Sequence, residues 1–529
     1  MTTSKTILAE GIQGALRRND RGAAAALCEQ LCRNYPTDAS VWQLASEVAS
    51  QTGNNNAALT LIDRAITLAP RAAALMLMKA RYHAVARDLD AARRIAEQAE
   101  AAASNDPVLL SSLGAFLSRL GFQADALRIL KTSVALAPED AASQYNLAAV
   151  LRFLGDFAGA EAALDHAVRL QPVNGEAWYL RSQLRTQTAE HNHTYELLHQ
   201  LSEPTRSWQD EVHLRFTFAK ELEDQGELVP AFAQIQRAAQ VRQQHMNYDV
   251  GADIDVIDAI IDSFGREFFN AAPAGTSLHS PIFILGMPRT GSTLVERVLG
   301  SHTQIISAGE LDDFPICMIA ELPTSSTTTL SRRDLVRTTK QIDFASLGER
   351  YTALVAKTIG GPKRFLDKAP LNFLYCGLIH KALPGARIIH TCRNPMDSCF
   401  AIYKQLFNRA YPFSYDLDDL GKYYLAYHRL MQHWYREMPQ AIYGISYEKL
   451  VRSPRQEIGA LLKFCTLPWE ERCMEFDQSS APSTTASATQ IRQKIYDTSI
   501  GKWRSLEEQL RPIYDRLKAG GIDPDEGLF

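Results

Sequence analysis

The chain has 529 residues, 46% hydrophobic and 22% charged, which is too long for one ordinary core and implies two or more domains. Its net charge of −4 argues against a surface built throughout for nucleic acid. Eight cysteines (28, 32, 317, 376, 392, 399, 465 and 473) are scattered without a CxxC pair, so they read as buried thiols and not as a disulfide framework or zinc site.

The N-terminal stretch lacks the apolar segment of a signal peptide, and no run reaches the roughly 18 apolar residues of a membrane span. These features lead us to expect a soluble, cytoplasmic protein in a reducing compartment.

The first half is periodic. Alanines recur at 24, 58, 92, 126 and 160, always 34 residues apart, and Gly53, Gly121 and Gly155 each precede an alanine by five residues. Pro36, Pro70, Pro138 and Pro172 lie twelve residues after an alanine, Trp42 and Trp178 share one phase, and Ala65, Ala99 and Ala167 share another. A 34-residue period is the tetratricopeptide signature. Repeats are expected near 5–38, 39–72, 73–106, 107–140 and 141–174, with weaker ones at 175–208 and 212–245. Ser104 replaces a proline and Pro107 is displaced, which predicts one irregular boundary.

Residues 1–245 are therefore expected to form an all-α solenoid. Its concave groove could hold a protein or peptide, either substrate or partner, or the repeats could be a scaffold that only dimerises or stabilises the rest of the chain; the periodic residues serve all of these equally. Ile254, Ile257, Ile260, Ile261 and Phe264 predict one more amphipathic helix, and 271–277 is rich in turn formers. Residues 246–277 are read as a connecting helix and linker, leaving 278–529 as the second domain.

That domain opens on Pro281-Ile-Phe-Ile-Leu-Gly-Met-Pro-Arg289-Thr-Gly-Ser-Thr293, followed by a helical pattern from Leu294. A short apolar run, a glycine loop and a helix predict a buried strand leading into an anion-binding turn. Gly286, Gly291 and Thr293 fit the P-loop spacing, but Ser292 stands where its lysine belongs, which weakens a nucleotide triphosphatase or kinase reading. The segment P-R-T-G-S-T-L resembles the 5′-phosphosulfate loop of sulfotransferases. The likeness is to tyrosylprotein sulfotransferases and to bacterial sulfotransferases that carry tetratricopeptide repeats.

The resemblance implies a donor, 3′-phosphoadenosine-5′-phosphosulfate (PAPS), without a metal, held by Pro288, Arg289, Thr290, Gly291, Ser292 and Thr293. It also implies an α/β fold with a parallel sheet. Glu310 lies 21 residues beyond Arg289, at the family's spacing for its catalytic base. An acceptor hydroxyl, with a pKa of about 10 if it is tyrosine, must lose a proton as the new bond forms, and a carboxylate supplies that base.

Residues 324–345 read as a Thr/Ser-rich mobile loop followed by a helix. Arg364-Phe-Leu-Asp-Lys368-Ala-Pro370 resembles the family element whose lysine contacts the sulfuryl group, so Lys368 and Arg289 are expected to stabilise charge. Arg393-Asn-Pro-Met-Asp397 resembles the 3′-phosphate motif, with Arg393 gripping the phosphate and Asp397 bracing the loop. The family's serine eight residues after the arginine is Ala401 here, and Ser398 is the expected substitute.

His390, His302 and His380 are read as packed residues and not as bases. Tyr447-Glu-Lys-Leu resembles a family element made mainly of core positions. The segment 489–504 resembles the closing loop over the nucleotide, making Arg492, Tyr496, Ser499, Lys502 and Trp503 candidate donor contacts.

Overall fold

The structure, a computed structural model, describes residues 2–103, 105–203, 207–270, 275, 280–323, 330–408, 410–478 and 497–526. The chain divides into two compact units, Met1–Gln171 and Pro172–Phe529.

In the first unit each 34-residue period is a pair of packed helices. The pairs begin with Thr2–Arg17 and Arg21–Asn34 and run to Ala141–Leu154 and Phe157–Leu170. Ala24, Ala58, Ala92, Ala126 and Ala160 are fully buried, because a larger side chain would push the paired helices apart. The turn between paired helices is left-handed at the same phase in all five pairs: Asn19, Gly53, Arg87, Gly121 and Gly155 all have positive φ. The second helices start on Asp20, Asn54, Asp88 and Asp156, whose side chains accept a hydrogen bond from the first turn. Ser104 lies outside the described residues. The displaced Pro107 takes the first position of the next helix behind the cap Asp106, where its missing N–H costs nothing.

The second unit opens with the helices Gly175–Ser182 and Thr194–Ser202 and then a repeat-like pair, Trp208–Asp224 and Leu228–Gln243. Gly226 keeps positive φ between them. The expected amphipathic helix follows as Val250–Ser263.

Five strands come next: β1 (Ile282–Leu285), β2 (Ile306–Ser307), β3 (Phe365–Lys368), β4 (Arg387–Cys392) and β5 (Ile442–Ser446). They form one sheet in the order β2-β3-β1-β4-β5, every pair parallel. β1 is wholly buried, with Phe283 and Leu285 in one core and Ile282 and Ile284 in another. That explains its unbroken apolar sequence. The first core also takes in Val212, Phe216, Phe232, Ile235, Ile257 and Phe264, so the 208–263 helices pack with one face of the sheet.

All eight cysteines are free and buried. Among the described residues, no helix is long and apolar enough to cross a membrane, and no group of three or more His, Cys, Asp or Glu is arranged to hold a metal ion.

Candidate active site

The chain reverses direction across the sheet at β1, whose neighbours β3 and β4 come later in sequence on opposite sides. Such a switch point opens a crevice at the carboxyl ends of the strands. The loop after β1, the end of β3 and the turn after β4 all emerge there.

Gly286 leaves β1 with φ of 140°, and a Cβ on it would lie 2.6 Å from the Thr391 carbonyl oxygen. Gly291 has φ of 95° and caps the helix Ser292–Gly300; its Cβ would lie 2.8 Å from the Tyr447 ring. Arg289 between them is also left-handed, with φ of 66°. Backbone this far from ordinary regions is held by its surroundings. The Thr290 hydroxyl donates to the Met287 carbonyl at 2.7 Å and lies 2.8 Å from the Thr391 hydroxyl. It therefore braces the loop from inside, while Arg289, Gly291 and Thr293 stay partly exposed and Pro288 and Ser292 are buried. The glycines let the Thr391 backbone and the Tyr447 ring pack directly on the loop, and the helix N-terminus that follows suits a bound phosphate.

Lys368 ends β3 and is 1% exposed. Its ammonium pairs with Glu310, which follows β2, and lies 3.7 Å from Glu296 on the 292–300 helix. The Lys368 amide donates to the Gly309 carbonyl at 2.9 Å, tying the two strand ends together. Ser307 donates to Glu296 at 2.7 Å. Glu310 is the exposed member, its side chain 52% accessible. A carboxylate open to an acceptor beside a buried cation can take a proton where negative charge develops.

On the other side, Arg393 follows β4. Its guanidinium donates to the Arg289 carbonyl at 3.1 Å and to the Ser499 carbonyl at 2.6 Å, and lies 4.9 Å over the Tyr447 ring. Its Nε is buried without a partner, an unspent donor of the kind a phosphate oxygen satisfies. Asp397 accepts from the Gly501 amide at 2.6 Å and from the Trp503 amide at 3.4 Å. Burial, more than any neighbour, raises its carboxyl above the ordinary range. The segment after residue 496 is thus fastened to the Arg393 turn from both sides.

Residues 281–471 match the sulfotransferase family model, and residues 44–107 and 124–184 match two tetratricopeptide repeat models. The chain carries a sulfotransferase-family domain behind tetratricopeptide repeats. An uncharacterized protein of Aquifex aeolicus is 33% identical over 329 residues, covering 60% of this chain and 43% of that protein. The chain thus spans less than half the length of that relative. "Protein-tyrosine sulfotransferase 1" of Danio rerio is 21% identical over 46% of this chain and 72% of its own length. A putative protein-tyrosine sulfotransferase of Caenorhabditis briggsae is 22% identical, over 47% and 92% respectively. Among solved structures, the sulfotransferase domain from the curacin biosynthetic pathway is similar with a TM-score of 0.33 and 19% identity, covering 46% of this chain and 99% of that one.

Within the sulfotransferase domain, several residues differ from the sequence-based expectation. Ser398 is fully buried, its hydroxyl directed 3.5 Å from the Arg393 carbonyl, so it points into the helix and not toward the crevice. Trp503 is 1% exposed and packs beside Tyr514; its indole anchors the closing segment in the core. Ser499 Oγ lies 2.8 Å from the Tyr447 hydroxyl and the Lys502 ammonium lies 3.8 Å from Glu223, while Arg492 and Tyr496 lie outside the described residues.

Tyr447, expected as core, is partly exposed. Its hydroxyl lies 2.8 Å from Ser499 Oγ, and its ring fills the gap between Gly291 and Arg393. Its place directly after the C-terminal end of β5 was the available signal. His390 is buried between the Tyr435 and Tyr427 hydroxyls, and burial pulls it down to about 3, so it stays neutral. His302 lies two residues past the 292–300 helix. It has partners the sequence did not suggest: the Pro468 carbonyl at 3.1 Å and the Gln304 amide at 3.1 Å.

Proposed function

We propose that the protein transfers a sulfuryl group from PAPS to an acceptor hydroxyl, most simply the tyrosine of a peptide or protein. The observation that carries this reading is the pairing of Lys368 with Glu310 beside the loop bearing Arg289. In the proposed reaction Glu310 takes the acceptor proton as the acceptor oxygen bonds to sulfur. Lys368 and Arg289 stabilise the charge that builds on the sulfuryl oxygens and on the leaving phosphate oxygen, and the product is the sulfate ester plus 3′-phosphoadenosine 5′-phosphate (PAP). Arg393 grips the donor's 3′-phosphate, and the segment 497–503 closes on it.

Tyrosine is favoured by the relatives named as protein-tyrosine sulfotransferases and by the repeats, which suit a peptide. A glycan, lipid or small phenol is the alternative acceptor. Ser292 at the P-loop lysine position speaks against phosphoryl transfer from ATP. The test is incubation with labelled PAPS and a lysate, without divalent metal, for the wild type and Glu310→Ala. Labelled product from the wild type alone is expected. No label from the wild type would remove the enzyme reading, and equal label from both would remove Glu310 from its role.

A further inference from the structure

The sequence leaves the donor site one partner short. Ala401 lacks the hydroxyl of its family counterpart, and Ser398 faces inward. Three residues beyond Ala401, and so on the same side of the helix Pro395–Tyr403, stands Lys404. Its ammonium is held at 2.5 Å by Glu223, from the 208–224 helix, and Lys502 of the closing segment reaches the same carboxylate oxygen at 3.8 Å. Gln405, next in the chain, donates to the Tyr179 hydroxyl at 2.8 Å, which fixes this end of the helix.

The charge balance at this point is uneven. Burial disfavours the Lys404 ammonium most, the positive charges of Lys502 and Arg289 add to that, and Glu223 is the carboxylate that offsets them. Burial raises the Glu223 carboxyl, but Lys404, Lys502 and Lys220 outweigh it and the net shift is downward, so the group is an anion near neutral pH. A structural ion pair needs one lysine. Two lysines converging on one carboxylate, in range of the loop arginine, form a site that a more highly charged oxyanion would fill better.

We infer that Lys404 and Lys502 are a phosphate-binding pair for the donor nucleotide, and that Glu223 fills the place of that phosphate when no donor is bound. The inference rests on the reading of PAPS as donor. Glu223 is then a competitor of the ligand and a positioning residue for the two lysines, contributed by a helix that lies outside the stretch matching the sulfotransferase family.

The experiment is calorimetric titration of the full chain with PAP, which binds without turnover. Glu223→Gln keeps the shape and removes the charge, and should bind PAP about fivefold tighter than the wild type. Adding Lys404→Met to Glu223→Gln leaves no buried carboxylate unpaired, and should weaken PAP binding about tenfold relative to Glu223→Gln alone. Lys404→Arg should bind nearly as the wild type does. Unchanged or weaker binding by Glu223→Gln overturns the inference, as does equal binding by the single and double variants. A wild type that binds no PAP removes the donor reading itself, and this inference with it; wild-type binding with an inert Glu223→Gln removes only the inference.

Discussion

Glu310 and Lys368 stand 58 residues apart in sequence yet pair across the carboxyl ends of β2 and β3, the acid open to solvent and the ammonium buried. In the proposed reaction the two groups divide the chemistry by exposure. Glu310→Ala should lower kcat about 10²- to 10⁴-fold while PAP affinity stays near wild type, because a base acts on the acceptor. Lys368→Met should lower kcat about 10²-fold or more, by removing a fixed cation at developing charge. Steady-state rates with PAPS and PAP titrations on the same samples separate the two effects.

Gly291→Ala places a methyl group 2.8 Å from the Tyr447 ring at φ of 95°. Either the loop or the ring must shift, and Tyr447 moves off Arg393 if the ring does. Stability should fall by about 1–3 kcal/mol in denaturant unfolding, and PAP should bind at least tenfold more weakly.

Asp397→Ala removes both acceptors that fasten the closing segment, at the Gly501 and Trp503 amides. Hydrogen exchange at these two amides should accelerate, and the KM for PAPS should rise more than kcat falls. Unchanged exchange would show that the buried Trp503 indole and the contacts of Arg393 and Tyr447 with Ser499 suffice to pin the segment.

Asp367 precedes Lys368, is fully buried and accepts from the Tyr351 hydroxyl at 2.7 Å. Burial raises its carboxyl to about 7. A folded-state pKa above the unfolded one means the native state holds the proton more tightly, so stability is lost as pH rises from about 4 to 7 and is flat above. Asp367→Asn, which mimics the protonated acid, should gain on the wild type across that window by up to about 1.4 kcal/mol per pH unit, and by a constant margin above it. Unfolding midpoints at pH 5, 6, 7 and 8 measure this.

The repeats were expected to end at residue 245, with 246–277 as a connecting helix and linker ahead of the second domain. The 208–243 helices share a core with Phe283, Phe373 and Trp434 of the sheet domain. A fragment of residues 246–529 should consequently expose Ile257, Ile260 and the apolar face opposite Phe232, and aggregate. A fragment of residues 172–529 should remain monomeric and unfold cooperatively. Size-exclusion chromatography and thermal melts of the two fragments decide it.

The repeats were legible because their constraint is local and recurrent: a buried alanine and a left-handed turn at every 34th residue. Arg87 hides in that series, since only its φ, not its residue type, marks it as the counterpart of Gly53 and Gly121. The β1 loop was legible for the same reason, its glycines being demanded by backbone geometry. β2 is only two residues long, because its pairing with β3 ends at Ser307, where the chain turns toward Glu310. Tyr447 was legible only by its place after β5, and the Glu223–Lys404 pair was not legible. Their meaning comes from strand order and from contacts 181 residues apart in the second case, which no local pattern records.

The register of β1 against β3 sets Ile284 opposite Lys368, and that of β1 against β4 sets Leu285 opposite His390. Side chains alternate faces along a strand, so a slip of one residue would turn Lys368 from the crevice end toward a core face and carry its ammonium away from Glu310. On the proposed mechanism, this pair is in that sense a gauge of sheet assembly. A chain that closed its sheet one step out of alignment could still bury its isoleucines, but it would be silent as a catalyst, so a turnover assay counts correctly threaded molecules more strictly than any probe of compactness.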